Sequence, residues 1–142
     1  MIKHIMIPYD KSESAIRAFE YAIDLAGKYN ANISIVTCIS IQILTDTYFG
    51  TAYIETTRLL KEDAVKSTQS LEPKLKELKI QYKIDVLEVV SITDTLTSYA
   101  ESHNVDLIVM GSRGLGGFKR LLLGSVASGV SQHSKCPVLI VK

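Results

Sequence analysis

The sequence predicts an α/β protein built on one open sheet of five parallel strands, with helices on both faces. Short apolar runs rich in β-branched residues alternate along the chain with longer stretches of helical periodicity. Strands that are separated by helices pair in parallel through crossovers, which are almost always right-handed. The 142 residues are 46% hydrophobic, which is enough for a full core, and we expect a single domain over residues 1–142.

The chain begins with a predicted strand, a tight turn and a helix. The apolar run 2–7 ends at Pro8, which cannot donate to a sheet ladder. Ser12 and Ser14 are candidate N-caps, and an apolar stripe with helical spacing follows them as far as Ala26.

The next segments predict a second strand and a broken helix. Residues 33–39 form a nearly continuous apolar run, as in a strand covered on both faces. Residues 40–53 have no clean period and predict a long loop, or an early start of the next helix. Helical periodicity over 54–78 is interrupted by Pro73, which predicts a break near Ser70 and a second short helix.

Three further strands complete the predicted sheet. Residues 82–89 alternate apolar and polar, which is typical of an edge strand, and Ser91 or Thr93 would cap a third helix. Residues 105–110 predict the fourth strand. A fourth helix opens at Gly124-Ser125, and residues 137–141 form the last strand.

The resulting Rossmann-like sheet is expected to have the strand order 3-2-1-4-5, with the winding reversed between strands 1 and 4. Ligands in such sheets bind beyond the carboxyl ends of the strands at this reversal. Two loops meet there, Pro8-Tyr9-Asp10 and the segment that begins at Gly111. Their convergence predicts the location of a binding site.

Composition narrows the classes of function. The formal net charge of +1 provides no global field for nucleic acid or an anionic membrane. No apolar stretch approaches the ~20 residues that span a bilayer, and the N-terminus does not resemble a signal peptide. Cys38 and Cys136 form no metal-binding motif, and both lie in apolar runs. We therefore expect buried, reduced thiols in a cytoplasmic protein.

The segment 109–125 carries the strongest signal of function. It has four glycines within seven residues, Gly111 to Gly117, and the cations Arg113, Lys119 and Arg120. Outward-pointing backbone amides of such a loop, together with a helix N-terminus, form a site for an anion such as phosphate. A nucleotide site is therefore expected.

Two common phosphate motifs are absent from this loop. A Walker loop needs Lys-Ser or Lys-Thr after its last glycine, whereas Gly116 is followed by Gly117. The dinucleotide fingerprint would require glycine where Lys119 stands, and it would follow the first strand and not the fourth. What remains is Gly111-x-x-Gly114, nine residues, and then Gly124-Ser125.

This spacing resembles the nucleotide signature of the universal stress protein family, in its ATP-binding branch. The resemblance extends to the Pro8/Asp10 turn, to residues 106–114, to 121–128 and to the ending 136–141. The chain departs from the family where Val90-Ser91-Ile92 replaces a common Gly-x-Pro turn. That turn lies away from the phosphate motif and affects only the start of the third helix.

The resemblance implies a role for each matching residue. Asp10 would bond the ribose or the adenine side, although by itself it could be a helix N-cap, and Cys38 would contact adenine mainly through its backbone. The amides of Gly111, Gly114, Gly124, Ser125 and Val126, with the Ser125 hydroxyl, would hold the phosphates. From the spacing itself we expect the nine intervening residues 115–123 to form a mobile flap over the phosphates. The predicted site comprises Pro8, Tyr9, Asp10, Cys38, Met110, Gly111, Ser112, Arg113, Gly114, Gly124, Ser125 and Val126.

The expected function is that of a regulatory module that binds ATP, with AMP or ADP as alternatives and Mg²⁺ accompanying ATP. No metal site from protein residues alone, no catalytic residue and no acid–base pair is predicted, because Asp10 is the only carboxylate expected near the loop. The histidines His4, His103 and His133 are expected to be surface or cap residues. A slow ATPase, or a nucleotide-free interaction module, remains the alternative.

The last strand predicts a homodimer. Residues 137–141 are apolar and lie at an expected sheet edge, and an exposed apolar edge tends to associate unless it is paired. Pairing with a second copy across a two-fold axis would bury it, and the family resemblance implies the same assembly.

Overall fold

The computed structural model describes residues 1–115 and 122–142. Within these residues five strands and six helices follow one another along the chain. In order they are β1 (His4–Pro8), α1 (Glu13–Tyr29), β2 (Asn32–Ser40), α2 (Ile41–Thr47), α3 (Gly50–Gln69), α4 (Glu72–Glu77), β3 (Tyr82–Val89), α5 (Ile92–Ser102), β4 (Leu107–Gly111), α6 (Ser125–His133) and β5 (Val138–Val141).

All neighbouring strands are parallel, and their order is β3-β2-β1-β4-β5. In the centre Ile5 pairs with Ile33 on one side and with Leu107 on the other. The predicted order, and the reversal of winding between β1 and β4, are therefore confirmed. This arrangement opens a space between the carboxyl ends of β1 and β4.

The core lies on both faces of the sheet because successive strand side chains point to opposite sides. In β1, Ile5 and Ile7 pack in the cluster that contains the apolar stripe of α1, whereas Met6 packs in the cluster beneath α5 and α6. In β4, Val109 joins the first cluster and Ile108 the second. All these side chains are fully buried. The central strands are thus held rigidly from above and below.

The loop expected over residues 40–53 is wrong, because this segment is largely helical. It contains α2 and the first turn of α3, which already begins at Gly50. Leu44 of α2 is buried in a small cluster with Ile39, Ala64 and Val86, and Tyr53 packs against it. These contacts with β2, β3 and the rest of α3 stabilise helices that the local sequence encodes only weakly.

The break near Ser70 is confirmed. Helix α3 ends at Gln69, and α4 starts two residues after Ser70, with Pro73 in its first turn. Proline is tolerated there because the first amides of a helix have no intrahelical acceptor. Leu75, which is fully buried, attaches this short helix to the α1 side of the core.

The remaining predictions about elements agree closely with the structure. β3 is an edge strand, and α5 begins at Ile92 with the Ser91 hydroxyl accepting a bond from the Asp94 amide. The Val90-Ser91-Ile92 departure therefore leaves the start of α5 intact. Both cysteines are free thiols but only partly buried. In the described part of the chain, the helices are too short or too polar for one of them to cross a bilayer.

Candidate functional site

A cleft of about 490 Å³ opens at the carboxyl edge of the sheet, between the ends of β1 and β4. Its volume falls within the range of small-molecule sites, ~300–1,000 Å³. Every residue of the predicted site lines it. They are Pro8, Tyr9, Asp10, Cys38, Met110, Gly111, Ser112, Arg113, Gly114, Gly124, Ser125 and Val126. The structure therefore brings together residues that are more than a hundred positions apart in the sequence.

Other lining residues were not predicted from the sequence. Most are apolar. Val36, Ile92 and Leu96 form a wall between β2 and α5, and Ser12, Ala15 and Ala127 line the cleft from the starts of α1 and α6. A signal for part of this wall was available. Val36 lies two positions before Cys38 on the same strand, and Leu96 lies four positions after Ile92 on α5, so each pair shares a face. Which face met the cleft depended on the packing of α5.

The turn between β1 and α1 is held by its own side chains. Asp10 Oδ1 accepts a bond of 3.0 Å from the Ser12 amide, and Ser12 Oγ accepts one of 3.3 Å from the Ala15 amide. Lys11 between them has φ 60°. The N-cap of α1 is therefore Ser12, and the alternative interpretation of Asp10 as the cap is wrong. A Cβ on Gly114 would lie 2.9 Å from Asp10 Oδ2, so this carboxylate borders the glycine loop.

The first part of the glycine loop is bonded to three different elements. The Ser112 amide donates to the Val141 carbonyl at the end of β5, at 2.8 Å, and the Gly124 amide donates to the Ser112 carbonyl at 2.7 Å. Ser14 Oγ, in the first turn of α1, donates to the Arg113 carbonyl at 2.7 Å. The backbone of residues 112–113 is thus held from β5, α6 and α1.

Gly111 is required by the close approach of α1. A Cβ at this position would lie 2.3 Å from Ser14 Oγ and 2.7 Å from the Ala15 nitrogen. A carbon side-chain atom does not pack this close to another heavy atom, so a side chain would push α1 away from β4. At this position the glycine serves packing of the helix against the strand.

The N-terminus of α6 points its amides at the cleft without a side-chain cap. Gly124 is the N-cap residue, with φ −69° and ψ 162°, and within residues 1–115 and 122–142 no side-chain bond to the first turn is found. The first helical bond runs from the Ser128 amide to the Gly124 carbonyl at 2.9 Å. The amides of residues 125–127 therefore have no intrahelical acceptor and remain available to a ligand. The dipole of the helix favours a negative charge there.

The opposite end of the cleft is apolar. Val36, Leu96 and Met110 are buried in the cluster beneath α5 and α6, and Cys38 packs against them. Burial raises the pKa of the Cys38 thiol to about 11, so the thiol stays protonated near neutral pH. A protonated thiol is a weak nucleophile. This end of the cleft suits a flat apolar group such as a nucleobase.

Few charges line the cleft. Of the lining residues that the structure describes, Asp10 and Arg113 are the charged ones. Across residues 1–115 and 122–142, no group of three or more His, Cys, Asp or Glu side chains is placed to hold a metal ion. Lys119 and Arg120, and most of the predicted flap over 115–123, lie outside the described residues.

The histidines contact other parts of the fold. His4 Nε2 lies 2.8 Å from Ser34 Oγ, His103 stacks on Tyr99, and His133 Nδ1 lies 2.8 Å from the Gly129 carbonyl. None of the three histidines is among the lining residues of the cleft that the structure describes.

Comparison with known proteins places the whole chain in one family. The model of the universal stress protein family matches residues 1–142. The universal stress protein MJ0531 of Methanocaldococcus jannaschii is 30% identical over 142 residues, covering 100% of this chain and 83% of the relative. The solved structure of the hypothetical protein MJ0577, from the same organism, superposes with a TM-score of 0.89 at 27% identity, covering 100% of this chain and 96% of that one.

Two more distant structures share the fold. A universal stress protein in complex with cAMP has a TM-score of 0.68 at 23% identity, and covers 99% of this chain and 96% of that one. A universal stress protein family protein from Arabidopsis thaliana with AMP bound has a TM-score of 0.72 at 18% identity, and covers 99% and 91% of the two chains. With the family match over its full length, the chain belongs to the universal stress protein family.

Proposed function

We propose that this protein is a regulatory module that binds an adenine nucleotide, with ATP as its main ligand, in the cleft between β1 and β4. One observation carries the proposal. The cleft joins an apolar wall to a set of amides that have no acceptor in the helix, at the winding reversal of the sheet. A nucleotide has the matching polarity, with a flat base at one end and an anionic phosphate chain at the other.

The phosphates would be bound at the α6 end. The amides of residues 125–127 and of Gly114, together with the Ser125 hydroxyl, are the donors that this end offers. Hydrogen bonds to a charged acceptor are about twice as strong as neutral ones. The Asp10 carboxylate would repel phosphate, but it suits the ribose hydroxyls, which donate hydrogen bonds.

The base would occupy the apolar end, against Val36, Leu96 and Met110. Two family members of the same fold, the ones with AMP and cAMP, support an adenine nucleotide as the class of ligand. AMP and ADP would present the same base and ribose as ATP, with a shorter phosphate chain.

Magnesium would enter with the nucleotide. Mg²⁺ is commonly held by one or two carboxylates together with substrate phosphates and water. Asp10 is the one carboxylate among the lining residues that the structure describes, and its Oδ1 already accepts from the Ser12 amide. We therefore propose binding and sensing of ATP as the function, with hydrolysis slow or absent. A cytoplasmic location stays a prediction.

The edge strand β5 supports a homodimer as the second part of the proposal. β5 ends the sheet, and Leu139 on it is 37% exposed although it is a large aliphatic side chain. A second copy pairing along this edge would satisfy the free backbone groups and cover Leu139. Light scattering should then give twice the 15.7 kDa mass of one chain. A monomeric mass at high micromolar concentration would contradict the dimer.

Thermal unfolding with and without nucleotide tests the binding proposal. ATP with Mg²⁺ at about 100 times its dissociation constant adds ~2.7 kcal/mol to the free energy of unfolding. This increment raises the melting temperature of a domain of this size by several degrees. Tripolyphosphate and adenosine, each alone, should give smaller shifts because each fills only one end of the cleft. The absence of a shift at millimolar ATP would contradict the proposed function.

A further inference from the structure

We infer that Ser14, which does not line the cleft, is a positioning residue that orients the Gly114 amide toward the phosphates of the ligand. The inference rests on the proposed nucleotide-binding function. It adds to that function a residue that affects the affinity for phosphate without contacting the ligand.

Ser14 lies behind the glycine loop, in the first turn of α1. It is 6% exposed and is not among the residues that line the cleft. Its hydroxyl donates to the Arg113 carbonyl at 2.7 Å, and the Arg113 amide donates to Ser14 Oγ at 3.4 Å. The first distance is that of a strong O–H···O bond. Ser14 therefore holds the backbone of the loop from the side opposite the ligand.

The geometry of the peptide bond transmits this contact to Gly114. The Arg113 carbonyl and the Gly114 N–H belong to one planar peptide unit, and the described peptide bonds are all trans. In a trans peptide the C=O and the N–H point in opposite directions. With the carbonyl directed at Ser14, the N–H of Gly114 is directed away from α1 and toward the cleft.

The orientation matters because the Gly114 amide has no acceptor of its own. Among residues 1–115 and 122–142 the structure contains no hydrogen bond from this N–H. The preceding amide of Ser112 is already used by the Val141 carbonyl. Gly114 is therefore a described residue of this loop whose amide is left for a ligand, and the Ser14 contact fixes the direction of that amide.

The orientation of this amide needs an external contact because residue 114 is a glycine. Without a Cβ, Gly114 adopts a wider range of backbone conformations than other residues. If the Ser14 hydroxyl is removed, the peptide between Arg113 and Gly114 can rotate, and the donor loses its fixed direction. A donor that must be ordered on binding contributes less to affinity than one that is already in place.

The test compares Ser14→Ala with the wild-type protein by calorimetric titration of ATP with Mg²⁺, AMP and adenosine. We expect about 3- to 12-fold weaker binding of ATP and AMP, which corresponds to one lost hydrogen bond. Binding of adenosine should stay within about twofold, because adenosine has no phosphate. Ser67→Ala is a matched control, since its hydroxyl bonds only within α3, to the Ala64 carbonyl.

A second measurement tests the orientation without any ligand. The ¹⁵N order parameter of the Gly114 amide should lie near the rigid value of about 0.85 in the wild type and fall toward about 0.6 in Ser14→Ala. An equal loss for adenosine and AMP would overturn the inference, as would an unchanged Gly114 order parameter in the folded variant. If the wild type binds no nucleotide, the proposed function fails, and a fall in the order parameter would still establish the contact.

Discussion

Helices α1 and α6 both begin at the cleft, each directly after a central strand or its loop, yet their first turns are completed in different ways. The N-cap residues have nearly the same backbone conformation, with φ −62° and ψ 158° at Ser12 and φ −69° and ψ 162° at Gly124. Ser12 supplies an oxygen that accepts from the Ala15 amide, whereas Gly124 has no side chain.

The difference assigns a separate task to each helix. The first turn of α1 is partly satisfied within the chain, by the Ser12 hydroxyl, and its Ser14 side chain supports the glycine loop. The first turn of α6 has no side-chain cap from Gly124, and its first amides have no intrahelical acceptor. A helix with a side-chain cap gains stability, whereas an uncapped helix N-terminus at a cleft offers a site for an anion. The comparison of α1 and α6 therefore predicts that phosphate binds at α6.

The largest effect is expected when α6 is capped with a charge. Gly124→Asp places a carboxylate where the phosphate should bind, and two like charges about 4 Å apart repel by ~4 kcal/mol at an effective dielectric constant of 20. ATP affinity should fall by roughly three orders of magnitude in calorimetric titration. Gly124→Ser is the matched control, because its Cβ meets the same neighbours, the Ser112 carbonyl oxygen at 3.3 Å and Arg113 Cα at 3.4 Å.

The serine variant adds a cap without charge and should weaken ATP binding only about tenfold, by competing for the amides. Equal affinities for the two Gly124 variants would show that the phosphates are bound elsewhere. Unchanged ATP affinity in Gly124→Asp would contradict the assignment of phosphate binding to the N-terminus of α6.

An intermediate effect is expected from separating α1 from the loop. Gly111→Ala forces a Cβ against Ser14 Oγ and the Ala15 nitrogen, and overpacking of this kind costs ~1–3 kcal/mol of unfolding free energy. Urea titration should show a lower midpoint with an unchanged slope. Gly27→Ala, within α1 and with no atom within 4 Å of the added Cβ, should instead stabilise by ~0.5–1 kcal/mol. Similar results for both substitutions would argue against close packing at Gly111.

The smallest effects are expected from two serine substitutions, one of which should mainly change stability and the other mainly ATP affinity. Ser12→Ala removes the cap of α1 and should cost ~1 kcal/mol of stability. Although Ser12 lines the cleft, its hydroxyl accepts from the Ala15 amide, so ATP affinity should fall less than in Ser125→Ala. Ser125→Ala removes an exposed hydroxyl at the start of α6 and should leave stability within ~0.5 kcal/mol. It should weaken ATP binding about 3- to 10-fold. Urea unfolding measures the stability of both variants, and calorimetry measures their ATP affinity. If stability and ATP affinity changed together in each variant, the prediction would be contradicted.

Much of the fold could be predicted because its signals are local. The periods of strands and helices, and the position of Pro73, are visible in short windows of sequence. Helix α2 could not be predicted in this way. Its residues 41–47 carry no clean helical period, and the helix depends on the burial of Leu44 against Ile39 and against Val86, which lies on β3 and is distant in sequence.

The candidate site, too, could be predicted from the sequence only in part. Glycine spacing and the order of elements predicted the two loops that meet at the cleft, because the carboxyl ends of β1 and β4 are neighbours in a sheet of this order. The resemblance to the universal stress protein family supplied the remaining residues of the predicted site, among them Cys38 and Val126. The apolar wall formed by Val36 and Leu96 was missed, because the sequence shows that these residues are apolar but not which wall they form.

The sequence by itself determined the class of fold and the spacing of the glycines, since these follow from local periodicity and from the order of residues. The strand order was an expectation that the pairing of the strands in the structure confirmed. Only the tertiary structure decided which backbone groups are used within the protein and which remain for a ligand. Ser14 and Arg113 are 99 positions apart, and no local pattern reveals that the hydroxyl of one meets the carbonyl of the other. In our proposal this long-range contact sets the direction of the Gly114 amide, because the Arg113 carbonyl and the Gly114 N–H belong to one planar peptide unit.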